Sequence, residues 1–179
     1  DQIVWVPALT GMWWAFGATV SVASVELAYG TFLLDSGTSL IGAPLPLYEH
    51  LLNRLLPKRE QRKCTVTQDS LVVCPCEVIE KTSPMEVGAG GRIFSVQPAE
   101  LYGQMLDDNG DTVCLLQLMK LKTGMPFILG DTFLRTVAAF FDLGSGPQAS
   151  PRIGLAPLRG SRAAPTPAPS PAPSPAPTP

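Results

Sequence analysis

Phe32-Leu33-Leu34-Asp35-Ser36-Gly37-Thr38-Ser39-Leu40 sets an acid at the end of an apolar run and follows it with a small, hydroxyl-rich turn. Apolar walls raise the cost of a carboxylate charge. The Gly37 N–H and the Ser36 and Thr38 hydroxyls are placed to hydrogen-bond the carboxylate oxygens and fix their plane. That combination suits a carboxyl used in proton transfer. Asp-Ser-Gly by itself is also an ordinary Asx turn, so the rest of the chain has to decide.

A second block, Phe127-Ile128-Leu129-Gly130-Asp131-Thr132-Phe133-Leu134-Arg135, lies roughly 90 residues downstream, a domain-scale separation that suits a strand paired with the first. Apolar residues precede a glycine, and only a residue without Cβ lets another strand pass closely. Asp131 suits the N-cap of a short helix through Arg135. Val137 to Asp142 and Arg152 to Pro157 read as closing strands.

The 179 residues are 45% hydrophobic and 16% charged, enough for one sizeable core and too few for two full domains. A net charge of -2 creates no field that recruits nucleic acid. Arg54, Lys58, Arg59, Arg62 and Lys63 form the only dense basic run; Glu60 and Gln61 interrupt it and no aromatic interleaves it, so it reads as a solvated surface. The apolar stretch from Ile3 to Val25 is broken by Pro7, Thr10, Gly11, Gly17, Thr19, Ser21 and Ser24. Its residues Val4, Val6, Trp13, Val20 and Val22 fit buried strands better than a membrane span. The sequence opens on Asp1 with no signal segment in view, and the beginning of the protein is expected to be missing.

Turn signals are frequent: Tyr29-Gly30, Gly88 to Gly91, Asn109-Gly110 and Gly144 to Pro147 separate short apolar stretches, which makes the domain mainly β. Asn109-Gly110, between Tyr102 to Leu106 and Thr112 to Leu116, reads as a hairpin with positive φ open to both central residues. Gly88 to Gly91 is a loop, because neither a helix pattern nor a suitably placed lysine follows to make a phosphate cradle. Leu47, Tyr48, Leu51, Leu52, Leu55 and Leu56 recur at helical spacing and Pro57 ends the run. His50, the only histidine, sits on that helix away from the leucines, with no nucleophile elbow to serve. Cys64, Cys74, Cys76 and Cys114 form an even set without zinc-type spacing, so disulfides and an oxidising compartment are expected.

Residues 1–158 form the expected domain and 159–179 a disordered tail. From Pro165 the tail alternates proline with Ala, Ser or Thr. Such a segment favours polyproline II and, at ~3.1 Å per residue, would extend roughly 45 Å as a spacer. It offers a ligand for a proline-binding module and hydroxyls for O-glycosylation.

In order and spacing these blocks resemble the pepsin and cathepsin D family of bilobal aspartic proteases, from about Trp5 to Pro157. Trp5-Val6-Pro7 is similar to the segment that opens the second lobe, Asp35-Ser36-Gly37-Thr38-Ser39 to the second catalytic motif, and Ile128-Leu129-Gly130-Asp131 to the glycine-centred strand supporting it. Phe141-Asp142 and Gly154-Leu155-Ala156 resemble the final strands. The resemblance implies one lobe of the pepsin-like fold, a double-psi-like β-barrel with a few short helices. It also implies a Cys76–Cys114 disulfide, which leaves Cys64 to pair with Cys74. Asp35 would be one half of a catalytic pair, supported by Ser36, Gly37, Thr38 and Gly130. Gly37 and Ser39 would meet an extended peptide, and Leu33 and Ile128 would line an apolar side-chain pocket. No metal or cofactor is implied.

The departures bear on function. No second Asp-Thr/Ser-Gly motif and no tyrosine-bearing flap hairpin can be found. Asp107, Asp108, Asp111 and Asp142 read as turn or strand-end residues, and Arg135 as structural. The expectation is therefore the C-terminal half of an aspartic endopeptidase that needs an N-terminal lobe, acts on polypeptides and is inactive alone. It would reside in the secretory pathway, in a vacuole or lysosome, or outside the cell. A homodimer built on two copies of Asp35 and a non-catalytic binding module on a proline-rich stalk are the alternatives.

Overall fold

The computed structural model describes residues 2–9, 13–145 and 150–158; the proline-rich tail, Thr10-Gly11 and Gly146-Pro147 lie outside them. The chain opens with β1 (Val4–Pro7), β2 (Ala15–Val22), β3 (Val25–Leu34) and β4 (Ile41–Pro44). Then come α1 (Leu47–Leu55), α2 (Lys58–Gln61), β5 (Thr65–Val66), β6 (Val72–Pro75) and a 3-10 segment, Cys76–Lys81. The hairpin of β7 (Met85–Ala89) and β8 (Arg92–Val96) leads to α3 (Pro98–Leu101), β9 (Tyr102–Leu106), β10 (Thr112–Leu116) and β11 (Leu118–Leu121). The described chain closes with β12 (Phe127–Leu129), α4 (Asp131–Leu134), β13 (Val137–Asp142) and β14 (Arg152–Pro157).

Three sheets result: β11-β4-β12-β3-β2-β7-β8, β5-β6-β10-β9, and β1-β14-β13. In β2 the alternation of a half-buried strand is clear, with Phe16, Ala18, Val20 and Val22 in the core. Phe32 stacks on Phe127 at 4.5 Å between centroids and so ties β3 to β12. The predicted helix forms as α1, buries Tyr48, Leu51 and Leu55, and packs on β3 and β4. Both bridges close, Cys64–Cys74 and Cys76–Cys114. The second spans 38 residues and contributes about 4 kcal/mol in the chain-entropy account.

The feature that positions the site is a crossing. β3 and β4 follow one another in sequence but do not pair; β12 lies between them, parallel to β3 (Ile128 opposite Leu33) and antiparallel to β4 (Ile128 opposite Gly42). The link from Asp35 to Leu40 must therefore pass over the end of β12, at Gly130, the residue that follows it. A Cβ at Gly130 would stand 2.1 Å from the Thr38 carbonyl oxygen and 2.4 Å from that of Leu40, both backbone atoms. The expectation that this glycine permits close passage holds.

Several local readings are corrected. Tyr29-Gly30 is not a turn: both residues lie inside β3, opposite Thr19 and Ala18. The β2–β3 reversal is at Ala23-Ser24, whose φ values of 49° and 63° are sustained without glycine. The Glu86 carboxylate accepts there from the Ser24 N–H at 3.2 Å and the Ser21 hydroxyl at 2.9 Å. Gly88 belongs to β7, and Gly90 and Gly91 alone make the turn. In the β9–β10 hairpin only Gly110 takes positive φ, because the Asp107 carboxylate accepts from the Asn109 and Asp111 N–H groups and organises a longer loop. The α4 N-cap is Gly130, with Asp131 as the first helical residue, since the Gly130 carbonyl already accepts from Phe133 and Leu134. Trp13 stands in a loop and is 61% exposed.

Ion pairs join Arg59 and Lys63 to Glu60, Lys63 to Glu77 and Lys120 to Glu49. Glu60, buried beneath the basic run, contacts Lys63 and Arg59, each at 2.9 Å, which lowers its carboxyl below the usual range. Among the described residues no helix is long and apolar enough to cross a membrane. At the β13–β14 end the Arg152 guanidinium lies over the Trp5 ring and bonds Asp142 at 2.8 Å.

Two outcomes are expected. Gly130→Ala should destabilise the domain by about 3 kcal/mol or more, because a backbone carbonyl cannot swing aside. An unchanged urea midpoint would contradict the crossing. The Arg152 bond, with the Gly144 N–H, holds Asp142 below its ordinary 3.8. Its contribution is complete above that value and disappears as pH falls through the lower folded value. Asp142→Asn should thus lower the melting temperature at neutral pH and leave it unchanged in strong acid. An equal deficit in both is the contrary result.

Candidate active site

Asp35 continues the β3 ladder by one bond, its N–H donating to the Leu129 carbonyl at 3.2 Å. The chain then turns so that the Thr38 N–H reaches back to the Asp35 carbonyl, also at 3.2 Å. Within this turn the Gly37 N–H donates to Oδ1 at 2.9 Å and the Thr38 hydroxyl to Oδ2 at 2.6 Å. Each carboxylate oxygen thus has one fixed donor and keeps acceptor capacity. The plane of the carboxylate is set by two bonds from its own turn. Ser36, expected among these donors, is exposed and has no bond to Asp35.

The turn is clamped from behind by α4. The Asp131 N–H donates to the Thr38 carbonyl at 2.8 Å, and the Thr132 N–H to that of Ser39 at 3.1 Å. Gly130 is buried in this contact, whereas Gly37 and Ser39 are exposed. Leu33 and Ile128, paired across β3 and β12, are half-buried and lie on the sheet face that carries Asp35, two residues along from it and from Gly130 respectively.

Beside Asp35 is a cavity of about 380 Å³ lined by Trp13, Trp14, Leu34, Asp35, Ser36, Leu134 and Phe141. Trp14 packs on Phe141 with centroids 4.8 Å apart. The sequence reading missed this aromatic wall. The Trp13-Trp14 pair was its signal, since two large rings in a loop do not follow the alternation of the neighbouring strands. Leu9 and Leu143, in the loops flanking these residues, are 52% and 71% exposed.

Asp35 is the one acid in this lining. His50 is exposed on α1, and the Asp107 and Asp142 carboxylates are occupied at their own turn and strand end. Arg135 donates to the Glu100 carbonyl and to Gln117, a structural placement. Among the described residues no cluster of His, Cys, Asp and Glu is arranged to hold a metal. The arrangement offers an oriented carboxylate able to accept or share a proton at the edge of an apolar recess.

Known proteins give the family of the chain. A family model described as eukaryotic aspartyl protease matches residues 1–158. The chain is 23% identical over 158 residues to Aspartic protease 17 of Caenorhabditis elegans, covering 86% of this chain and 37% of the relative. It is 27% identical over 166 residues to Pepsin A of Gallus gallus, covering 87% and 39%. To Cathepsin D of Dictyostelium discoideum it is 30% identical over 115 residues, covering 63% and 28%. The matched part is thus under two-fifths of each relative's length. The mainly β build with few short helices is that of one lobe of the pepsin-like fold, and the chain belongs to the eukaryotic aspartyl protease family.

Proposed function

We propose that this chain is the C-terminal lobe of an aspartic endopeptidase and supplies Asp35 as one of the two carboxylates that activate a water for peptide hydrolysis. The observation that carries the reading is the seating of Asp35: a half-buried carboxyl at a strand end, each oxygen held by its own turn, at the rim of an apolar recess. The limited share of each relative that is matched leaves room for a second lobe. Residues 1–158 are the lobe and 159–179 a spacer.

A second carboxylate about 3 Å from Asp35 would share its proton, because two like charges that close cannot both ionise. One carboxyl then accepts a proton from the water while the other, protonated, polarises the scissile carbonyl. The Ser36 hydroxyl, not engaged with Asp35, would reach across to the N-terminal lobe. Gly37 and Ser39 would offer polar contacts to an extended polypeptide, and Leu33 and Ile128 an apolar subsite on the same sheet face. The exposed edge of Leu9, Trp13, Phe141 and Leu143 is the surface that lobe would cover, since that much apolar side chain in water favours association. Two closed disulfides support folding in an oxidising compartment of the secretory pathway.

The full-length protein, assayed between pH 3 and 6, should cleave polypeptides and be blocked by a statine-containing peptide. Asp35→Asn should lower kcat by at least about a thousandfold with the melting temperature retained, and residues 1–158 alone should be inactive. Cleavage by that isolated lobe would instead indicate a homodimer. Peptide binding without cleavage by the full-length protein would indicate a binding module.

A further inference from the structure

We infer that Thr132 is a positioning residue for the peptide-binding turn: its hydroxyl, steered by Gln117 and Arg135, holds Ser39 so that the exposed Ser39 side chain meets the backbone of a bound polypeptide. The inference rests on the endopeptidase reading for its substrate class and on Thr132 geometry for the rest.

Thr132 is 0% exposed and touches the Ser39 carbonyl twice, through its N–H at 3.1 Å and its hydroxyl at 2.8 Å. Any residue at this position would give the first bond, but only a hydroxyl side chain gives the second. With both lone pairs of the carbonyl used, the Ser39 peptide plane is fixed against tilting in two directions. The neighbouring Thr38 carbonyl has its own donor in the Asp131 N–H.

Gln117 Oε1 is a competitor for the Thr132 proton at 3.0 Å, and one hydroxyl proton cannot serve two acceptors fully. The Arg135 guanidinium donates to that same Gln117 oxygen and to the Glu100 carbonyl. A charged donor on Gln117 makes it the poorer acceptor for Thr132, so the proton goes to Ser39. Gln117 is itself anchored: its N–H donates to the Leu101 carbonyl at 2.8 Å, and its carbonyl accepts from Ile41 at 3.0 Å. The network thus runs from α3 through the β10–β11 junction to the catalytic turn. Thr132 makes no contact with Asp35, so its effect falls on substrate binding and not on proton transfer.

The test uses the full-length enzyme. Thr132→Val, which keeps shape and removes the hydroxyl, should raise KM for a polypeptide about three- to tenfold, with kcat and both limbs of the pH profile unchanged. Thr132→Ser should restore the wild-type KM. Shortening the peptide one residue at a time should abolish the Val effect when the residue facing Ser39 is removed, and Ser39→Ala should abolish it as well. Arg135→Met, at an exposed position, provides a second variant and should raise KM in the same direction by a smaller factor. Amide hydrogen exchange over residues 36–40 should quicken in both variants, a readout that does not depend on cleavage. A fall in kcat at constant KM, an equal loss on every peptide length, or unchanged exchange would overturn the inference. Absence of cleavage by the wild type would count against the endopeptidase reading and leave the exchange experiment to decide the role of Thr132.

Discussion

Everything at the site depends on a missing methyl group. The turn that carries the acid can lie across the end of β12 only because Gly130 presents bare backbone to the carbonyls of Thr38 and Leu40. Any side chain there would push the turn off the sheet and, with it, the Thr38 hydroxyl that fixes one oxygen of Asp35. The glycine is in ordinary extended conformation, so the demand is for space and not for unusual torsion. Two segments nearly a hundred residues apart in sequence are thereby forced into one object. Local turn chemistry alone would have left the acid as an Asx turn on a strand end.

How far the sequence could be read follows from the range of the forces involved. The strand-end acid, the glycine in the second block, the closing strands and the leucine helix were legible because each rests on local pattern. The Ala23-Ser24 reversal was not, because its stability comes from Glu86, a distant side chain that satisfies two donors in the turn. Tyr29-Gly30 looked like punctuation for the same reason in reverse: a ten-residue strand paired with β2 along nearly its whole length tolerates a glycine that a short one would not. The N-cap of α4 was misplaced by one residue, since the extended glycine and not the acid supplies the first helical carbonyl. Of the site itself, the carboxylate and two of its three expected donors were readable. The aromatic wall and the bond from Thr132 to Ser39 were not, because no local spacing rule connects Trp14 with Phe141 or residue 132 with residue 39.

A single carboxylate is oriented in advance by bonds from its own turn, which on the proposed reading leaves little reorganisation for the moment of reaction. The apolar recess beside it lowers the local polarity but contributes no second acid. Orientation and environment are therefore built into this lobe; on the proposed reading, proton sharing waits on a second carboxylate.

The placement of the four cysteines has a further consequence for biogenesis. Cys114 faces Cys74 across the β6–β10 ladder, yet each is joined to a different sulfur. Once these two strands have paired, the nearest thiol to Cys114 across the ladder is the wrong one, and a Cys74–Cys114 isomer is one thiolate attack away from either native bond. The native bonds instead reach Cys76, at the start of the 3-10 segment, and Cys64, three residues beyond α2. Oxidative folding therefore depends on thiol–disulfide exchange that resolves a mispaired Cys74–Cys114 bond.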